Sequence, residues 1–302
     1  MRACTIVILH LLWYDNPYFI LQEGGASMRF LIYPNRTYED AVLFAERITA
    51  HLVALGHECY EPSGEDDPRL DETDMGVIVG GDGTVLRAVR MLFKRKFPFW
   101  AVNYGHLGYL TECEPDEAFD ALDRILAGDY RIENRARLTG YLEHAGEKRS
   151  FDALNEAVIH RSGYMRTLKM TLSIGGTGIM EFAGDGLLVS TPTGSTAYNL
   201  SAGGPILLPD SQQVVITPIC PHSALCAPLV VTGDKEIGIE IQLGSGVLDG
   251  DCPQLLIDGC ERLPIMPGDR IVCRIAPSTT DFVKTNEMSF YRRLRSKLAH
   301  RG

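Results

Sequence analysis

The sequence predicts an α/β domain followed by a β-rich one, and three observations predict it. Apolar runs of strand length alternate with helix-period segments over the first part of the chain. One of those runs, Gly76-Val77-Ile78-Val79, empties into Gly80-Gly81-Asp82-Gly83-Thr84. Beyond about residue 126 the texture changes to short β-type runs cut by Gly and Pro.

Taken in order, Met28-Arg29-Phe30-Leu31-Ile32-Tyr33-Pro34-Asn35 reads as the opening strand. Residues 1–27 then read as an upstream extension that a misplaced start codon would explain. Its apolar stretch, Met1 to Trp13, is too short to span a bilayer and lacks a small-residue cleavage site. Tyr38 to Leu55 carries Ala41, Leu43, Phe44, Ile48, Leu52 and Leu55 at helical spacing, with Gly56 where a helix C-cap belongs. Glu61–Asp74 is acidic and Pro-bearing, a loop. The strand Gly76–Val79 follows, then a helix over Thr84–Phe93, a strand over Phe99–Asn103 and a helix over Phe119–Leu126. Such alternation means a parallel sheet with ligands at the carboxyl ends of its strands, where Asp82 and Asn103 fall.

In the second half the β-type runs are Arg137–Leu142, Asp152–His160, Lys169–Ile174, Leu187–Ser190, Val214–Thr217, Leu229–Val231, Ile237–Leu243, Leu255–Ile257 and Arg270–Ile275. The expected division is an α/β domain over 28–125, a β-rich domain over 126–285 and a basic tail over 286–302. In that tail Phe290–His300 reads as a solvated surface segment that packs through Phe290, Tyr291 and Leu294.

With 302 residues, 45% hydrophobic and 23% charged, the chain can bury a substantial core. Its net charge of −10 argues against a nucleic-acid or anionic-membrane surface, since both need clustered Lys and Arg. The 8 cysteines include no C-x-x-C pair, so neither a zinc ribbon nor a dithiol redox motif is supported. Free thiols in a reducing cytoplasm are the expectation.

At Gly80-Gly81-Asp82-Gly83-Thr84, backbone N–H groups freed of side chains can close on a phosphate. A Gly-Gly-x-Gly turn alone equally fits a plain βα connection. Asp82 shifts the balance: a carboxylate among phosphates would repel them unless it holds a Mg²⁺ or takes a proton. Neither the Walker pattern nor the Rossmann G-x-G-x-x-G spacing is present. The second break is Thr191-Pro192-Thr193-Gly194-Ser195-Thr196-Ala197-Tyr198. There Thr193, Ser195 and Thr196 are neutral donors and Tyr198 offers an aromatic face to a nucleobase. Singly, each residue has a plainer explanation: Tyr198 as half-buried core, Asn155-Glu156 as a strand-edge pair, His222 as a loop residue making one hydrogen bond.

The two breaks, in this order and spacing, resemble the NAD kinase family. Supporting segments are Val102-Asn103-Tyr104-Gly105-His106-Leu107-Gly108-Tyr109-Leu110, Ala153-Leu154-Asn155-Glu156, Gly184-Asp185-Gly186, Ser201-Ala202-Gly203-Gly204-Pro205, Thr217-Pro218-Ile219-Cys220-Pro221-His222 and Ile257-Asp258-Gly259. The resemblance implies a two-domain enzyme that transfers the γ-phosphoryl group of ATP to the 2′-hydroxyl of the adenosine ribose of NAD, with NAD in the cleft between the domains. Under it Asp82 is the catalytic carboxylate. Gly81, Gly83, Thr84, Asn103, Asn155, Glu156, Asp185, Thr193, Thr196, Ala197, Tyr198, Ser201 and His222 bind substrate, and no side chain is assigned to a metal. It also implies Mg²⁺ or another divalent ion accompanying ATP, and a homo-oligomer. The alternatives are a lipid or sugar kinase sharing the Gly-Gly-Asp-Gly loop, and a dinucleotide-binding regulator without catalysis.

Overall fold

The computed structural model describes residues 27–105, 108–161, 167–223, 226–242, 253–285 and 290–299. The readings placed on residues 1–26 and on His106-Leu107 lie outside these. The chain divides into two units, one of Met1–Val85, Phe97–Glu133 and Asp281–Gly302, the other of Leu86–Lys96 and Asn134–Thr280.

In chain order the first part runs β1 (Arg29–Pro34), α1 (Glu39–Ala54), β2 (Glu58–Tyr60), β3 (Met75–Val79), α2 (Asp82–Met91), β4 (Phe99–Val102), α3 (Ala118–Leu126) and β5 (Arg131–Arg135). Among the described residues the middle is mostly strand, with a 3-10 turn at Gly194–Thr196 and a short helix after it: β6 (Leu138–His144), β7 (Glu147–Ala153), β8 (Glu156–His160), β9 (Leu168–Ile174), β10 (Thr177–Gly184), β11 (Gly186–Ser190), α4 (Tyr198–Ser201), β12 (Gln213–Ile219), β13 (Leu229–Thr232), β14 (Ile237–Gln242), β15 (Gln254–Ile257), β16 (Glu261–Pro264) and β17 (Arg270–Ile275). The chain closes with β18 (Thr280–Lys284) and α5 (Phe290–Ala299).

The first sheet has the order β2-β1-β3-β4-β18-β5, and β1, β2, β3, β4 and β18 pair in parallel. Every residue of β3 and β4 is buried, as expected of central parallel strands covered on both faces. α1 lays Ala41, Phe44, Ala45, Ile48 and Leu52 on the sheet with Phe30, Ile32, Val77 and Val79. It ends at Gly56, whose φ of +87° fits the predicted left-handed cap. Helix α2 begins at Asp82, two residues earlier than its predicted start, so the carboxylate belongs to the helix's first turn rather than to a free loop.

The second unit is two six-stranded sheets, β10-β9-β14-β17-β6-β7 and β13-β12-β11-β8-β15-β16. All their pairings are antiparallel. One apolar core takes side chains from both, among them Leu138, Phe151, Met170, Ile239 and Ile271 from one and Ile159, Leu187, Ile216 and Leu255 from the other.

The observed α/β and β-rich architecture is the predicted one, with differences that bear on function. Asp152–His160, read as one run, is two strands in different sheets, broken at Leu154-Asn155. Phe290–His300, read as solvated, is a helix over Phe290–Ala299 whose Arg293 is 5% exposed. Among the described residues no helix is long and apolar enough to cross a membrane.

Candidate functional site

Asp82 stands where β3 hands over to α2. The backbone N–H groups of Thr84 and Val85 both donate to Gly81 O, at 2.8 and 3.2 Å, which starts the helix on Gly81. The Asp82 carboxylate is clasped by a second loop: Tyr109 N donates to Oδ2 at 2.8 Å and Leu110 N to Oδ1 at 3.0 Å. A carboxylate can accept about four hydrogen bonds, so two accepting directions remain. Each glycine here has a separate reason. A Cβ on Gly80 would come 2.6 Å from Thr84 Oγ1, and one on Gly108 would come 1.9 Å from Asp82 Oδ1, whereas one on Gly81 would meet nothing within 4 Å. Packing therefore demands Gly80 and Gly108 but not Gly81, and Gly83 is exposed.

Asn103 ends β4 inside the protein, 1% exposed, and its Nδ2 donates to Glu114 Oε1 at 2.9 Å and to Gly105 O at 3.2 Å. Its Oδ1 is buried without a hydrogen-bond partner. Thr84 is 2% exposed, with its hydroxyl packed beneath Gly80.

In the second unit Asn155 and Glu156 sit at the break between β7 and β8. Asp258 holds that break: its carboxylate accepts from Leu154 N at 2.8 Å, Asn155 N at 2.7 Å and Glu156 N at 3.0 Å. Asp258 has φ +49°, a left-handed turn that aims its side chain back at the corner. The Thr191 turn docks on the other side. Thr191 N donates to Asn155 O at 2.8 Å, its hydroxyl donates to Leu154 O at 2.6 Å, and a Cβ on Gly194 would collide with Asn155 O at 2.2 Å.

Glu156 is 7% exposed and its Oε2 has no hydrogen-bond partner. Burial, then the neighbouring Asp258 charge, pushes the Glu156 carboxyl up to about 8. Asp258 is also pushed up by burial, but its three backbone N–H bonds favour the charged form. We therefore assign the charge of this pair to Asp258 and the proton to Glu156.

Tyr198 lies close enough to both Asp185 and Glu156 to feel their charges. The Tyr198 phenol is held above its usual range by partial burial first, then by Cys220, Asp185 and Glu156, while the residue stays 40% exposed. Asp185 Oδ1 accepts from Arg161 Nε at 2.7 Å, and Arg161 N donates to Asp185 O at 3.0 Å. Arg161 was not among the residues expected from sequence, nor was Asp258 given a role.

The rest of the second break is mostly internal. The Ser195 hydroxyl donates to Pro192 O at 2.6 Å and accepts from Leu207 N at 3.0 Å, so it staples the chain and has no donor to spare for a ligand. Thr196 turns its hydroxyl onto Thr193 O at 3.3 Å, and Thr193 Oγ1 accepts from Arg135 at 3.4 Å. Ala197 is half-buried, Ser201 exposed, and His222 an exposed loop residue whose backbone N donates to Ala183 O at 2.9 Å. The structure thus groups Glu156, Asp185 and Tyr198, and separately Gly81, Asp82 and Gly83. Thr84 and Thr193 are buried, 2% and 5% exposed.

Among the described residues no group of three or more His, Cys, Asp and Glu could hold a metal ion.

Residues 65–130 match the ATP-NAD kinase N-terminal domain and residues 154–285 the ATP-NAD kinase C-terminal domain. An NAD kinase of Carboxydothermus hydrogenoformans is 38% identical over 78% of this chain and 82% of its own. One of Moorella thermoacetica is 40% identical over 75% of this chain and 71% of its own. Two solved structures share the fold. A yeast NADH kinase complexed with NADH has a TM-score of 0.79 at 24% identity, covering 90% of this chain and 88% of its own. An Archaeoglobus fulgidus NAD kinase in complex with ATP has a TM-score of 0.71 at 23% identity, covering 91% of this chain and 99% of its own. Both halves of the sequence are matched by the same family and the relatives align over three quarters or more of its length, so the chain belongs to the NAD kinase family.

Proposed function

We infer that this protein is an NAD kinase, transferring the γ-phosphoryl group of ATP to the 2′-hydroxyl of the adenosine ribose of NAD. The observation that carries the reading is the clasped Asp82 carboxylate at the end of a glycine loop, in a chain matched to both ATP-NAD kinase domains. A secondary alcohol is a weak nucleophile at neutral pH, so a fixed carboxylate that takes its proton lowers the barrier. With two of its accepting directions taken by backbone N–H groups, Asp82 has a set orientation before substrate arrives. The bare backbone of Gly81 and Gly83 lets phosphate oxygens approach the start of α2, where the helix dipole favours negative charge. A divalent ion bound with ATP would neutralise charge on the transferring phosphoryl group.

Glu156 and Asp185 accept hydrogen bonds from hydroxyls of the dinucleotide, and Tyr198 gives a ring a face to rest on. Asn155, Thr193, Thr196, Ala197, Ser201 and His222 complete the proposed surroundings on that unit, and Asn103 is proposed to contact substrate from the unit that carries Asp82. The matched family models and the relatives described above are NAD kinases and lend the lipid- or sugar-kinase alternative nothing, and the intact Asp82 speaks against a regulator without catalysis. Six free thiols among the described residues support a reducing, cytoplasmic setting. The homo-oligomer rests on family resemblance and is checked by solution mass. Incubation with ATP, Mg²⁺ and NAD should yield NADP, and Asp82→Asn should lower kcat by about 10²–10⁴ with NAD still bound. A wild-type protein that forms no NADP overturns the reading.

A further inference from the structure

Helix α5 lies beyond the matched family domains, the second of which ends at residue 285. Its Arg293 is buried, while Arg292 and Arg295 on the same helix are exposed. Burying a guanidinium is costly unless its donors are met, so the partners of Arg293 define what the burial serves. Its NH1 donates to Thr111 O, and to Gly108 O at 3.4 Å, while NH2 donates to Glu112 O at 2.8 Å. The charge is balanced by Glu112, 3.7 Å away, whose carboxylate also meets Lys284 Nζ at 3.0 Å and accepts from Thr285 N at 2.8 Å.

The segment from Gly108 to Glu112 is therefore gripped twice. Its carbonyls face Arg293, and its N–H groups at Tyr109 and Leu110 face Asp82. Gly108 O and Tyr109 N belong to one planar peptide group, so displacing the first displaces the second. The same side of α5 holds the Tyr109 ring, with Phe290 at a centroid distance of 6.2 Å and Lys297 Nζ 4.4 Å from the ring centroid. Phe290, Arg293 and Lys297 follow the spacing of one helix face.

We propose that Arg293 is a positioning residue for Asp82: it fixes the 108–112 backbone whose N–H groups orient the carboxylate. The proposal rests on Asp82 being the base. It predicts a loss in turnover without a loss in substrate binding, since a small displacement of a reacting group costs on the order of 10²-fold.

The test measures NADP formation by wild type, Asp82→Asn, Arg293→Gln, Arg293→Lys and Arg295→Gln, with the exposed Arg295 variant as control. Arg293→Gln is expected to lose about 10- to 100-fold in kcat with KM for NAD and ATP held within about twofold. Arg293→Lys, which keeps a charge near Glu112 but loses the fork, should lie between it and wild type, and it carries the test if the Gln variant does not fold. Combined with Asp82→Asn, either Arg293 variant should add less than about a further twofold, because the group it positions is already gone. Additive losses in the double variant, a loss in KM alone, or unchanged kcat would overturn the proposal. An inactive wild type would instead overturn the functional reading, so the two failures are distinct.

Discussion

Gly108 and Asp82 are in contact so close that the glycine has no room for a side chain: a Cβ there would stand 1.9 Å from Oδ1. Gly108→Ala must push the carboxylate away or pull the 108–110 backbone off it. The expected result is a kcat loss on the order of 10²-fold with NAD affinity retained. Kinetics paired with calorimetry check this, and turnover within about threefold of wild type would show that the carboxylate tolerates displacement.

Asp82→Asn should also cost stability, contrary to what a solvent-facing turn residue would do. The carboxylate satisfies two N–H groups with two oxygens. An amide has one oxygen, so its NH₂ would face a backbone N–H. A donor left unsatisfied costs about 1–3 kcal/mol when buried, less at this half-buried position. A melting temperature equal to wild type would mean that the loop accommodates the amide.

Glu156 makes stability pH-dependent. Its folded-state value of about 8 lies above its ordinary 4.5, so across that window the folded protein keeps a proton that the unfolded chain has lost. Stability is therefore expected to fall as pH rises from 4.5 towards about 8, and Glu156→Gln should flatten that slope. Denaturant melts across the range test it. Hydroxyl donors brought by NAD favour the charged form, so binding at neutral pH should release protons, which calorimetry in buffers of different ionisation enthalpy detects; the Gln variant should release none from this site.

Arg161→Ala removes the partner of Asp185 without touching its carboxylate. The pair is half-buried, 34% and 29% exposed, and even a well-placed pair near the surface contributes only about 0–1 kcal/mol, so the melting temperature should change little. KM for NAD should rise while kcat holds, because the Asp185 rotamer is no longer set. A change confined to kcat would remove Asp185 from dinucleotide binding.

The two breaks, the parallel strands before them and Asp82 were legible because glycines, apolar runs and a lone carboxylate are local signals. The corner at Leu154-Asn155 was not. Ala153 and Ala157 are both buried, so no change of pattern marks the point where the chain leaves one sheet for the other. What makes the corner is Asp258, 102 to 104 residues away in sequence. Ser195 looked like a ligand donor because a hydroxyl in a glycine-flanked turn looks the same whether it faces a substrate or Leu207 N. Arg293 was hidden by its basic neighbours, since a run of arginines carries no mark of which one is buried.

The place of β18 between β4 and β5 has a consequence for how the molecule is made. A ribosome delivers β4 long before it delivers residues 280–284, so for most of synthesis that sheet has a gap in its middle and β4 keeps an unpaired edge. Hairpins such as β6-β7, β9-β10 and β11-β12 can pair as they emerge, and the distant pairings of β6 with β17 and β8 with β15 are available before residue 280, whereas the first sheet waits for β18. A nascent chain stopped short of residue 280 should therefore carry a formed sandwich and an adhesive, half-built sheet. Its Asp82 loop would lack both β18 and the helix that braces it, so kinase activity should be among the last properties this chain acquires.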